Sequence, residues 1–125
     1  MTTKQNDKKS KGSFAKLTWD DVNNWASNTI IERGRNYKQN GHVRDLTITS
    51  NGALLAWVHG TGRYATTVEI SNGKLESLCT CPYGAPCKHA VAVILQYLDQ
   101  LKNKQPLPKA EPNDERLQRL FEHLD

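Results

Sequence analysis

The chain has 125 residues, 37% hydrophobic and 24% charged, which is typical of one domain rather than two. Its longest apolar run, residues 90–95, is six residues long, whereas a membrane-spanning helix needs about twenty, so the sequence excludes a transmembrane protein. The polar start of the chain lacks the apolar core of a secretory signal. Three cysteines, an odd number, argue against a disulfide scaffold, and we therefore expect a cytoplasmic protein.

The net charge of +4 is concentrated at the N-terminus. Residues 1–12 carry +3, residues 13–100 carry +1, and the charges of residues 101–125 cancel. This lysine-rich start has too little apolar surface to fold. It is either an electrostatic arm for nucleic acid or a solubilising end.

Composition divides the chain into four sections. We expect a disordered basic tail over residues 1–14 and a folded domain over residues 15–104. Residues 105–112 hold three of the five prolines and predict a stiff, extended linker. Residues 113–125 predict a short amphipathic helix.

The folded section opens with helical signals. Thr18 followed by Asp21 resembles a capping box. A second helix is predicted from about Thr29 to Asn40, with a glycine just past its end. Gly34 lies inside this helix, where it costs up to about 1 kcal/mol relative to alanine. Close approach of another backbone is one reason to tolerate that cost.

Beyond residue 41 the hydrophobic pattern changes to a period of two. Two Asn-Gly pairs, at residues 51–52 and 72–73, predict hairpins. A final helix is predicted over residues 89–101, where an apolar run indicates the most buried element. These signals predict a small α+β domain, in which an antiparallel meander of three or four strands packs with N-terminal helices and one buried C-terminal helix. The predicted strands cover residues 42–50, 54–59, 64–70 and 74–79.

All three cysteines and one histidine fall within eleven residues, as Cys79, Cys81, Cys87 and His89. Residues two apart on a strand point the same way, so Cys79 and Cys81 can close on one ion. The Pro-Tyr-Gly-Ala-Pro segment that follows can reverse the chain. Cys87 should then lie at or before a helix N-cap, with His89 in the first turn. Four such ligands leave no open position, which favours one structural Zn²⁺ over a catalytic metal.

Three other interpretations of this cluster remain open. They are a Cys/His nucleophile pair, a set of reduced cysteines without a ligand, and an iron–sulfur or copper(I) thiolate site. The remaining histidines, His42, His59 and His123, are interpreted as surface or tail residues.

The pattern Cys-x-Cys, five residues, Cys-x-His, with strands before it and an apolar helix after it, resembles the SWIM-type zinc finger of small prokaryotic-type members. The residues Arg33, Gly34, Tyr37, Gly41 and Val43 resemble the lead-in segment of that family. The resemblance covers about residues 15–102. It implies DNA binding or protein–protein interaction without an enzymatic activity, because similar modules occur in helicase-like ATPases, transposases, recombination mediators and ubiquitin ligases.

We therefore predict a zinc module that binds nucleic acid, DNA before RNA, or docks to a DNA-processing enzyme. The alternative is a protein–protein adaptor with no nucleic-acid contact. The candidate nucleic-acid-binding residues are Arg33, Arg35, Lys38 and Lys88. The body also offers cations at Arg44 and Arg63 and possible stacking rings at Trp57, Tyr64 and Tyr83.

The tail carries an apolar stripe with helical spacing, formed by Leu117, Leu120, Phe121 and Leu124. Asn113 or Asp114 is a candidate N-cap for this helix. Three roles remain open for the stripe: a dock for a helicase-like ATPase or another protein, a helix that folds back onto the domain, or the first helix of a longer protein.

Overall fold

The computed structural model describes Phe14 and residues 17–124. Within these residues the chain forms four helices and one four-stranded antiparallel sheet, which confirms the predicted α+β class. In chain order the elements are α1 (Trp19–Trp25), α2 (Asn28–Gln39), β1 (Val43–Ile48), β2 (Leu54–His59), β3 (Arg63–Ser71), β4 (Lys74–Cys79), α3 (Lys88–Lys102) and α4 (Glu115–His123).

The local signals of the sequence form as predicted. Thr18 caps α1 by accepting a hydrogen bond from the backbone of Asp21, whose carboxylate accepts one from the backbone of Thr18. Gly41 has a φ of 75° just past the end of α2. Asn72 and Gly73 have φ values of 54° and 77°, as a type I′ turn between β3 and β4 requires.

The sheet has the strand order β1-β2-β3-β4, and its inner face packs against α3 and, at β4, against α1, while α2 packs on α3. Residues 90–94 of α3 are fully buried against alternating residues of the strands, such as Leu54, Val58 and Val68. Gly34 of α2 packs on the start of α3, where an added Cβ would lie 2.5 Å from Cγ1 of Val91. Close helix packing therefore explains the mid-helix glycine.

One boundary of the predicted disordered tail is wrong. Phe14 is buried in the inner core, where its ring lies 5.3 Å from that of Tyr97. Residues 1–13, the rest of the predicted tail, lie outside the described residues.

The outer face of the sheet is covered by α4. Leu120 of this helix packs on Leu55, Trp57 and Ala65. Residues 105–112, predicted as a linker, contact the free edge of β1 at one isolated bridge. The backbone N–H of Ile48 donates to the carbonyl oxygen of Pro108, and that of Ala110 donates to the carbonyl oxygen of Ile48, both at 2.9 Å. The tail helix therefore folds back onto the domain, one of the three roles that the sequence left open.

The strand register places several chain segments at one end of the sheet. His59 pairs with Arg63, Val43 pairs with Val58, and Thr66 pairs with Cys79. The start of β1, the β2–β3 turn, the end of β4 and the start of α3 therefore lie together. We call this the cysteine end.

No helix in the described part of the chain combines the length and apolar character needed to cross a membrane.

Candidate metal centre

The four predicted ligands meet at the cysteine end. Cys79 is the last residue of β4, Cys81 follows it, Cys87 is the N-cap of α3, and His89 lies in the first turn of α3. Their candidate ligand atoms all lie within 4.8 Å of one another, and all four residues are buried. The strand, the reversing loop and the helix start thus bring the ligands together as the spacing predicts.

The separations fit a tetrahedral zinc ion. Zn–S and Zn–N bonds of about 2.3 and 2.0 Å at a tetrahedral angle place sulfur and nitrogen about 3.5 Å apart. Nδ1 of His89 lies 3.5 Å from Sγ of Cys79 and 3.8 Å from Sγ of Cys87. Three sulfurs and one imidazole nitrogen are the donor set that structural zinc prefers. The cluster fits one structural Zn²⁺, which would contribute folding energy when bound.

The buried cysteines are favourable together as thiolates only beside a cation. A hydrogen bond with Cys87, together with burial, raises the pKa of the Cys79 thiol, and burial raises that of Cys81. The same hydrogen bond from Cys79 lowers the pKa of Cys87 to about 4, assisted by His89. Neighbouring buried thiolates repel each other, so only a bound cation makes three of them favourable together. A divalent ion supplies that charge.

The groups around the ligands depend on the fold and were not identified from the sequence. The hydroxyl of Thr66, which is fully buried, lies 3.2 Å from Sγ of Cys79 and can donate to the thiolate. The ring of Tyr64 stacks on that of His89 at 4.8 Å, and the ring of Tyr37 meets it edge-on at 5.3 Å. Strand alternation gave a weak signal for Thr66, but the register was needed to place it beside Cys79.

Comparison with known proteins agrees with this geometry. Residues 64–98 match the sequence model of the SWIM zinc finger family. The match begins at Tyr64, ends in α3 and includes all four ligands. The match confirms, for this segment, the resemblance to the SWIM zinc finger that the sequence predicts.

The chain is also similar to an uncharacterized protein of Methanocaldococcus jannaschii. The two are 40% identical over 68 residues, which make up 54% of this chain and 29% of the relative. The matched part thus spans less than a third of that protein's length. No solved structure matches the chain.

The four candidate nucleic-acid-binding residues lie in different surroundings. Arg33 is exposed on α2. The guanidinium of Arg35 lies 5.6 Å from the ring centre of Trp19, and the ammonium of Lys38 lies 3.5 Å from the carboxylate of Asp99. Arg35 and Lys38 are thus each engaged by another side chain of the domain, and their contact with nucleic acid stays a prediction.

Lys88 differs from the cations of α2. Its ammonium lies 4.8 Å from the ring centre of Tyr37 and 5.8 Å from that of Tyr83. Tyr83 lies on the loop between Cys81 and Cys87, and its side chain is 64% exposed. A cation and an exposed ring therefore stand together on the surface above the metal ligands.

The other histidines are not part of the cluster. His42 and His59, interpreted as surface residues, are half-buried, and the ring of His42 lies 4.7 Å from that of Tyr37. His123 is exposed in α4.

The apolar stripe of the tail is divided by the fold. Leu117 and Leu120 pack against the outer face of the sheet, whereas Phe121 and Leu124 are 72% and 64% exposed. Docking of a protein through this stripe stays a prediction, and only the second pair is free for it in this arrangement.

Proposed function

We propose that the protein is a non-catalytic, zinc-stabilised module that binds nucleic acid through the cysteine end. The observation that carries this proposal is the pairing of Lys88 with the exposed ring of Tyr83 on the loop between the metal ligands. An ammonium can contact a phosphate, and an exposed ring can stack on a base. Four protein ligands fill a tetrahedral coordination sphere, which supports a binding role over catalysis. The three free cysteines suit the reducing cytoplasm, our proposed compartment.

The distribution of charge supports binding at this end. Arg44 at the start of β1 and Arg63 at the start of β3 are exposed cations at the same end of the sheet as the half-buried Lys88. The guanidinium of Arg63 lies 3.9 Å from the ring centre of Trp57, and Nε of Arg44 donates to the carbonyl oxygen of Gly41 at 2.8 Å. The salt bridge of Arg63 to Glu115 spans 3.7 Å between half-exposed side chains, so it contributes little and can be exchanged for a phosphate. At the opposite end, Glu69 and Glu76 face each other across β3 and β4. Phosphate binders concentrate cations, and here the three cations lie at one end of the sheet and the two glutamates at the other.

Fluorescence anisotropy with labelled DNA and RNA over a salt series tests the proposal. We expect affinity to fall steeply between about 50 and 200 mM salt, because each phosphate contact releases counterions. Replacing Arg44 and Lys88 with alanine should weaken binding and reduce the salt slope by about one per lost contact. The matched control replaces Lys74 and Lys109, two exposed lysines away from this end.

Two results would reject nucleic-acid binding at the cysteine end. One is the absence of any complex at micromolar protein and about 50 mM salt. The other is an equal loss of affinity in the control pair, which would show that only net charge matters.

A protein–protein adaptor is the second candidate, and the exposure of Phe121 and Leu124 favours it. Its partner would be a DNA-processing enzyme such as a helicase-like ATPase. The double replacement Phe121→Asp and Leu124→Asp should then abolish capture of that enzyme and leave anisotropy with DNA unchanged. Capture that survives this replacement would remove the tail as the dock.

A further inference from the structure

We infer that the ligand of the cysteine end is a single-stranded nucleic acid, with one unpaired base stacked on Tyr83 and an adjoining phosphate held by Lys88. This inference rests on the proposed function and narrows its substrate class. It follows from the surroundings of Tyr83, the position of Lys88 and the burial of the helix beside the metal.

No large side chain of its own loop covers the ring of Tyr83. The flanking residues Pro82, Gly84 and Ala85 are small or exposed, and an added Cβ at Gly84 would meet no atom within 4 Å. Among the described residues, no aromatic ring packs on Tyr83 and no side chain bonds to its hydroxyl. A flat base therefore has access to this ring.

The loop that carries Tyr83 is held at both ends by metal ligands. Cys81 precedes it and Cys87 ends it, and the carbonyl oxygen of Tyr83 lies 3.8 Å from Sγ of Cys81. A loop fixed in this way loses little conformational entropy when a base stacks on its ring. Such preorganisation favours affinity from a single aromatic side chain.

Lys88 supplies the charge for the adjoining phosphate. Its side chain is half-buried, its ammonium lies 4.8 and 5.8 Å from the ring centres of Tyr37 and Tyr83, and no carboxylate of the described residues lies within 4 Å of it. The two rings hold the side chain near the stacking position without neutralising its charge. A backbone phosphate next to the stacked base can bind there.

The helix beside the metal cannot read a duplex. A recognition helix must expose side chains to enter the major groove. Residues 90–94 of α3 are fully buried in the core instead, and its first turn is occupied by His89, a metal ligand. The exposed parts of the cysteine end are loops with an aromatic ring, a surface that suits unstacked bases.

The test measures affinity of the full chain for oligonucleotides of about 20 nucleotides, as single strands and as the matching duplex. The single strand carries 2-aminopurine, a fluorescent base whose emission is quenched by stacking. We expect tighter binding of the single strand and quenching on binding. Tyr83→Ala should weaken binding by roughly 5- to 150-fold and remove the quenching, whereas Tyr83→Phe should retain both.

Two controls separate stacking from folding. Zinc content of each Tyr83 variant should equal that of the wild type. Phe121→Ala removes an equally exposed ring on the other face of the sheet and should leave binding unchanged. Preference for the duplex, or wild-type affinity in Tyr83→Ala, would overturn the inference and leave nucleic-acid binding intact. If the wild-type protein binds neither the single strand nor the duplex, the proposed function itself is rejected.

Discussion

The two faces of the sheet are held by different kinds of interaction. The inner face buries the apolar helix α3 and the four metal ligands. The outer face has a small apolar cluster under α4, a helix of nine residues, and a buried charge at Arg116. Metal coordination and apolar burial stabilise the first face, whereas directional hydrogen bonds position the second.

Arg116 shows how hydrogen bonds position α4 on the outer face of the sheet. This side chain is 5% exposed and contacts the carboxylate of Asp114 at 2.7 Å and the hydroxyl of Thr47 at 3.2 Å. It also donates to the carbonyl oxygen of Asp45, which lies in a bulge of β1 with a φ of 57°. A nine-residue helix is marginal alone, so these contacts decide whether α4 stays docked. We therefore expect each face to lose its structure independently of the other.

Removing the metal should give the largest effect. Structural zinc contributes roughly 10–16 kcal/mol in zinc-finger peptides, comparable to the whole stability of a small domain. We expect Cys81→Ser to reduce zinc from one ion per chain towards zero and to abolish the cooperative melting of the inner face. Metal analysis and circular dichroism measure the two results.

The control for the metal experiment is Gly84→Ala, in the same loop with free space around the new methyl group. It should retain both zinc and the melting temperature. An unchanged melting curve in Cys81→Ser would contradict the structural role of the ion.

Replacing Arg116 with alanine should release the outer face alone. Removing one partner of a buried ion pair costs about 3–5 kcal/mol, a loss limited here by the docking free energy of α4. We expect faster hydrogen exchange at the backbone amides of Ile48 and Ala110, with zinc content unchanged. Arg119→Ala is the control, because that side chain is 51% exposed and should cost no more than about 1 kcal/mol. Equal exchange rates in the two variants would contradict the role of Arg116 in docking α4, and loss of zinc in Arg116→Ala would contradict the separation of the faces.

A smaller effect is expected where α2 meets α3. Alanine normally stabilises a helix interior by up to about 1 kcal/mol over glycine. In Gly34→Ala, however, the new methyl group would lie 3.0 Å from the carbonyl oxygen of Lys88 and closer still to Val91. We expect a net loss of about 1–3 kcal/mol in unfolding free energy, measured by urea denaturation. Asn36→Ala, exposed on the same helix, should cost nothing, and a gain in Gly34→Ala would contradict the close packing.

The smallest effect is a pH dependence of the outer face. The hydrogen bond from Arg116 holds the pKa of Asp114 below its ordinary value of 3.8. A carboxyl with a lowered pKa in the folded state stabilises fully above the ordinary value and loses that contribution as the pH falls below it. We expect the protection of the Ala110 amide, relative to its intrinsic exchange rate at each pH, to fall below about pH 3.8 in the wild type and to lose this dependence in Asp114→Asn. The variant distinguishes protonation of Asp114 from loss of zinc, which acid also promotes.

Prediction from the sequence succeeded where a few neighbouring residues carry the interaction. The capping box at Thr18, the left-handed turn at Asn72 and the spacing of the four ligands each depend on short segments. It failed for Phe14, because burial of one ring at the end of a polar tail depends on a partner far along the chain at Tyr97.

The order of helices and strands, the hairpins and the metal donor set were determined by the sequence alone, because capping, turn geometry and ligand chemistry act between near neighbours. The tertiary structure decided which face α4 covers, which cations remain free and what surrounds the metal. Arg116 and the carbonyl of Asp45 are 71 residues apart, and no local sequence pattern predicts a hydrogen bond between them. Such partners meet only after the whole chain has folded, when burial makes an unpaired polar group costly and so selects one arrangement.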